Sequence, residues 1–194
     1  GDAAIAVDTD NDEATITIPA TDNALVSIAA SDDVVDETGT NNGVYTVTLS
    51  NQSSSATTVS YTVSGTAASA TDFTALSGSV TIPANTSSAT ISLAVLTDAI
   101  VEADETVIVT LSAVTAGDAA IAVDTDNDEA TITIPDNDNA VVSINDPVAV
   151  TEGTNIVFTI SLDSEVEGGF TLAYTTNPGT ATGGGSDYNN AGGT

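Results

Sequence analysis

Apolar and polar residues alternate along most of this chain, in short separated runs. Tyr45, Val47 and Leu49 are spaced by threonines, and Val59, Tyr61 and Val63 by a serine and a threonine. The same spacing returns at Val80 and Ile82, at Ile91, Leu93 and Val95, at Val107, Val109 and Leu111, and at Ile132 and Ile134. A period of two sends successive side chains to opposite faces of a β-strand. The breaks carry Gly, Asn, Asp, Ser or Pro, which favour turns. With an opening strand over 25–29, the pattern predicts seven strands, A to G, within residues 21–138. Seven short strands with β-branched outer faces predict a two-sheet sandwich.

The strand series repeats. Residues 1–19 and 117–135 are identical, which sets a period of about 116 residues. Looser echoes follow, such as Tyr45-Thr46 with Phe158-Thr159, Gly65-Thr66-Ala67 with Gly179-Thr180-Ala181, and Asp72-Phe73 with Asp187-Tyr188. This predicts the C-terminal strand of one repeat in 1–20, a whole repeat in 21–138 and the N-terminal half of another in 139–194. Half a sandwich leaves an unpaired sheet edge, so the expectation is an excerpt from a longer array of sandwiches placed end to end.

Charge changes the picture more than any other property. The 194 residues include 28 Asp and Glu and no Lys, Arg or His. Two carboxylates about 4 Å apart repel by roughly 4 kcal/mol at an effective dielectric near 20. Crowded acids must therefore be spread apart or bind external cations. Nucleic acid and anionic membrane surfaces are poor partners, because both require a basic footprint; no nucleic-acid partner and no direct membrane insertion are expected. Without cysteine there are no disulfides or thiolate metal sites, and without lysine there are no isopeptide staples. No apolar run approaches bilayer length. Disorder is disfavoured although the charge is high, because the acids are clumped and valine- and isoleucine-rich stretches between them can bury a core.

If the strands run up and down, loops AB, CD and EF and the chain leaving G share one end. Eleven acids fall there: Asp32, Asp33, Asp36, Glu37, Asp72, Asp98, Glu102, Asp104, Glu105, Asp136 and Asp138. Loops BC and DE hold none. Hard cations with six to eight oxygen ligands suit such clusters, and calcium tolerates irregular loop geometry better than magnesium. The plainer alternative is a solvated acidic tip. A second tract, Asp124-Thr125-Asp126-Asn127-Asp128-Glu129, is expected at the opposite end as a solvated FG hairpin loop, with a weak inter-domain ion site as the alternative. It begins like an EF-hand loop but lacks the turn glycine and the late glutamate.

Several segments in order resemble a known family. They are Gly65-Thr66-Ala67, Thr71-Asp72-Phe73, Ser77 through Pro83, Leu96-Thr97-Asp98, Val101 through Thr106, Val109 through Ser112, and Ala130 through Asp138. Together they resemble the Calx-beta domain. The resemblance implies tandem seven-stranded immunoglobulin-like sandwiches with Ca2+ at the acidic tip. By motif position it implies Glu37, Asp72, Asp98, Glu102, Glu105, Asp136 and Asp138 as ligands, with Glu152 and Asp187 as their counterparts in the third repeat. The sequence departs from the family pattern at Thr97-Asp98, where paired acids are often seen, and at Asn137 within the acidic exit.

The expected function is a calcium-stiffened stalk or adhesin segment of a large secreted bacterial surface protein, serving attachment or gliding. Its expected partners are adjacent repeats, with surface or host-matrix ligands bound by regions outside this segment. The alternative is a calcium-sensing regulatory domain of a membrane transporter, which would carry diverged rather than near-identical repeats. An enzyme is not expected. A carboxylate pair can hydrolyse glycosides, but there is no tryptophan to hold a sugar, and His, Cys and Lys chemistry is absent.

Overall fold

Each alternating run forms a strand in the structure, a computed structural model that describes residues 9, 13–16, 23–185, 187–189 and 191–193. The strand of a preceding repeat expected in 1–20 lies outside these residues, apart from 9 and 13–16. The whole repeat comprises β1 (Ala24–Asp32), β2 (Gly43–Leu49), β3 (Thr57–Gly65), β4 (Ser79–Ile82), β5 (Ser88–Leu93), β6 (Glu105–Ala116), β7 (Ile121–Val123) and β8 (Glu129–Ile134). One sheet has the order β5-β2-β1-β7 and the other β4-β3-β6-β8. All pairs are antiparallel except β1 with β7.

The inward set of each strand forms one core. Val26, Tyr45, Val47 and Leu93 come from one sheet, and Val59, Ile82, Val107, Val109 and Ile132 from the other; all are fully buried. Removing each such side chain from water stabilises by about 1.5–3 kcal/mol. The buried phenol of Tyr45 is satisfied across the sandwich, donating to the Val107 carbonyl oxygen at 2.7 Å. Apart from the buried Thr57, most strand threonines and serines lie on the outer faces, and some pair between strands, as Thr58 with Thr81 and Ser60 with Ser112, both at 2.9 Å.

The FG connection differs from the expected hairpin loop. After β6, Gly117 takes φ +129 and the chain crosses to the other sheet, where β7 runs parallel to β1. Ile121 is buried there, and this apolar anchor is the physical reason for the crossing. The acidic tract then follows the β1 edge. Asp124 N–H donates to Val26 O at 2.9 Å, and Ile28 N–H donates to Asn127 O at 3.0 Å. The connection is thus an extra short strand, β7, followed by the tract as a turn stitched to the sheet, with Thr125, Asp126 and Asn127 exposed.

Two glycines set up the acidic end. At Gly43 an added Cβ would lie 2.7 Å from Ile132 Cδ1 and 3.0 Å from Val35 Cγ1. The missing side chain lets Val35 insert into the core and draws the β1–β2 loop inward. Gly65, at φ +122, would place a Cβ 2.1 Å from the Thr106 carbonyl oxygen. That oxygen also accepts from Ala67 N–H at 3.1 Å, so the chain leaving β3 lies directly against the start of β6. The following repeat contributes β9 (Val142–Ile144), β10 (Ile160–Leu162), β11 (Tyr174–Thr175) and β12 (Gly192–Gly193), paired as β10-β9 and β11-β12.

Candidate metal centre

Four chain segments deliver carboxylates to the end of the sandwich where β1 finishes and β6 begins. In the β1–β2 loop, burial alternates: Val35 and Glu37 are buried while Val34 and Thr38 are exposed. Packing of Val35 therefore carries Glu37 inward. In the β3–β4 loop, Asp72 closes a tight turn. Its N–H donates to Ala68 O at 3.0 Å, and its Oδ2 accepts from Ala68 N–H at 2.5 Å. The next residue, Phe73, is buried and pairs with Val95, which fixes the turn to the core. In the β5–β6 loop, Asp98 accepts from Ile100 N–H at 2.8 Å, and Glu102 and Glu105 follow. After β8, Asp136 accepts from Asp138 N–H at 3.1 Å, which curls the exit segment back on itself.

The result is three overlapping groups whose carboxylate oxygens lie within 4.8 Å of one another. They are Glu37 with Asp136 and Asp138, Glu37 with Asp98 and Glu102, and Asp72 with Glu102 and Glu105. The structure thus brings together all seven acids that motif position singled out in the whole repeat. Glu37 links two groups and Glu102 links two, so the seven form one continuous cluster.

Electrostatics within the cluster are adverse. Glu37 is 6% exposed, and its Oε2 is buried with no hydrogen-bond partner. Burial pushes its carboxyl up to about 7; the Asn137 backbone N–H opposes this, and Asp136, Asp98 and Asp138 add repulsion. Glu105 is also pushed up to about 7, first by burial, then by a hydrogen bond with Asp72 and by repulsion from Asp72, Glu102 and Glu167. Glu102 is raised by burial and by Asp72, Asp98, Glu167 and Asp136. No basic side chain exists to offset any of this. A buried charge without a partner is costly, and a multivalent cation is the remaining compensation.

The other acids expected at this end do not join these groups. Asp36 faces its own loop, accepting from Thr38 Oγ1 at 2.5 Å and from Asn41 Nδ2 at 2.9 Å, and the Thr38 bond leads in holding its carboxyl below the usual range. Asp32 Oδ1 accepts from Val34 N–H at 3.3 Å. Asp33 and Asp104 are exposed. Glu167, from the β10–β11 loop of the following repeat, lies outside the three groups but adds repulsion to Glu102 and Glu105.

Residues 20–138 and 136–194 each match the Calx-beta domain family. The chain belongs to the Calx-beta family. No curated protein matches it in sequence. Among solved structures it is similar to the calcium binding domain CBD12 of CALX1.1, at 22% identity and TM-score 0.45, covering 57% of this chain and 44% of that one. It is also similar to CBD12 from CALX1.2, at 21% identity and TM-score 0.48, covering 66% of this chain and 53% of that one. The apo-form Calx CBD1 domain matches at 21% identity and TM-score 0.44, covering 58% of this chain and 99% of that one. The chain thus spans about half the length of the two CBD12 structures.

In the second Calx-beta match, Asp187 makes a bond like that of Asp72 but one residue longer in span, its Oδ2 accepting from Thr182 N–H at 2.6 Å. Asp187 and Glu152 are both exposed, and among the described residues neither belongs to a group of three acids. In the tract after β7, Asp124 accepts from Asn127 Nδ2 at 3.0 Å, and no such group forms there either.

Proposed function

We propose that this chain is a calcium-stiffened stalk segment of a large extracellular bacterial surface protein serving attachment or surface motility. The observation that carries the reading is Glu37: a buried carboxylate with an unpartnered oxygen, at the centre of seven converging acids in a chain without one basic side chain. Calcium–oxygen distances are about 2.3–2.6 Å, so oxygens sharing one ion lie within about 5 Å of each other. The three groups have that spacing. The ligand set is all-oxygen, anionic and drawn from loops, which suits calcium rather than magnesium.

Stiffening follows from where the chain leaves the domain. Asp136 and Asp138 belong both to the cluster and to the segment entering the next repeat. A cation there ties the linker to the domain. The 19-residue identity between 1–19 and 117–135 supports an array of repeats rather than a single diverged sensor domain.

The test is a calcium titration of the whole chain, following melting temperature and small-angle scattering, with sodium at matched ionic strength as control. Extracellular calcium modules bind with Kd of about 0.1–1 mM, and hundredfold saturation of one site adds about 2.7 kcal/mol. The expected result is a melting temperature raised by several degrees and a longer particle in calcium alone. Equal responses to both salts would overturn the reading and leave a solvated acidic tip on a sandwich.

A further inference from the structure

Among the described residues, the backbone of the two repeats pairs at Val101. Val101 N–H donates to Glu165 O at 2.9 Å, Glu167 N–H donates to Val101 O at 3.0 Å, and Val101 and Val166 form a parallel bridge. Val101 immediately precedes Glu102. This short pairing brings the β10–β11 loop of the following repeat against the β5–β6 loop. In this parallel register Glu167 follows Val166 as Glu102 follows Val101, which sets Glu167 at the rim of the acidic tip, outside the three groups whose oxygens already converge.

Such a contact opposes itself unless something positive lies between the carboxylates. Two neutral backbone hydrogen bonds contribute about 1–3 kcal/mol together. Like charges brought together oppose such a contact, and Glu167 adds repulsion to both Glu102 and Glu105. The loop that occupies the same place in the preceding repeat, Ser50 through Ala56, carries no acid. The carboxylate at 167 is therefore a property of this junction and not of the fold. An independent feature at the same tip points to a ligand: the buried, unpartnered Oε2 of Glu37, whose group shares Glu102 with the group of Asp72 and Glu105.

We propose that Glu167 is a cation ligand supplied by the following repeat to the group of Asp72, Glu102 and Glu105, so that one ion cross-links the two repeats. The proposal rests on the reading of the tip as a calcium site and adds that the site is completed across the junction. Junctions whose incoming loop lacks an acid then bind the ion more weakly and flex more, which grades stiffness along an array.

The experiment uses the whole chain and calcium itself, measured by titration calorimetry at fixed salt, for the native protein and for Glu37→Gln, Glu167→Gln and Glu165→Gln. A second readout is the distance between spin labels at Thr131→Cys and Asn155→Cys, clean because the chain has no cysteine of its own. Glu167→Gln is expected to weaken one cation about five-fold, the upper end for an exposed charge pair, and to leave the label distance broad in calcium. Glu165→Gln, which removes the same charge from the same loop, is expected to change affinity less than about two-fold and to allow the distance to narrow. Native-like binding by Glu167→Gln, with binding lost in Glu37→Gln, overturns the cross-link and leaves the calcium tip standing. Equal weakening by Glu165→Gln and Glu167→Gln also overturns it, because general charge would then be the cause. No calcium binding by the native chain removes both readings.

Discussion

Replacing Glu37 with glutamine reverses its effect on stability according to whether calcium is present. The carboxyl of Glu37 rises from 4.5 to about 7 on folding. At about 1.4 kcal/mol per pH unit, ionising it in the folded chain costs roughly 3 kcal/mol at pH 8. Glutamine keeps the shape and removes the charge, but its buried amide meets the same absence of partners, which costs about 1–2 kcal/mol. The net expectation without metal is a variant about 1–2 kcal/mol more stable than the native chain at pH 8. For a domain of this size that is a rise in Tm of about 3–10 °C. With calcium at hundredfold excess over Kd, the native chain gains about 2.7 kcal/mol per site and the variant loses that gain, so the order inverts. Thermal melts of both proteins in EDTA and in calcium at pH 8 measure all four values. A variant that melts lower in EDTA yet keeps the full calcium shift would falsify the account, because Glu37 would then be a structural acid outside the metal site.

Other outcomes follow from the same geometry. Because folding raises the carboxyls of Glu37 and Glu105 to about 7, the stability linked to their protonated forms is complete below about 4.5 and is lost as pH rises through 7. Melting temperature without metal should therefore fall between pH 5 and 7.5, and the calcium-induced rise should grow over that window. Calorimetry in buffers of different ionisation enthalpy should detect protons released on calcium binding at pH 6; no release would mean that these carboxyls are not displaced by the ion. Gly65→Ala forces a side chain onto the Thr106 carbonyl oxygen in a left-handed conformation. It should destabilise by about 2 kcal/mol or more by denaturant melts, and should weaken calcium binding by separating Asp72 from Glu105. Asp36→Asn should leave calcium affinity unchanged in a titration, since Thr38, Thr40 and Asn41 already hold that carboxylate in its own loop.

The sandwich was legible in the sequence because strand formation and burial follow a local rule. A period of two on a strand has one apolar face, and Tyr45, Val47 and Leu49 have one place to put it, against Val59, Val107 and Ile132 of the other sheet. Gathering of acids from three loops and the exit segment followed from the up-and-down order of the strands, and the seven residues singled out by motif position do converge. Local pattern could not distinguish Asp36 from Glu37. The two are adjacent and equally acidic, but insertion of Val35 beside Gly43 turns one toward its own loop and buries the other. The crossing at β7 was hidden for a similar reason, since the side chain of Ile121 reads as one more loop residue until β1 offers it a free edge. Glu167 lies furthest from what sequence alone determines. Its approach to Glu102 depends on backbone pairing between repeats at Val101 and Val166, and neither apolar period nor acid spacing encodes such pairing, because main-chain donors and acceptors are the same at every residue.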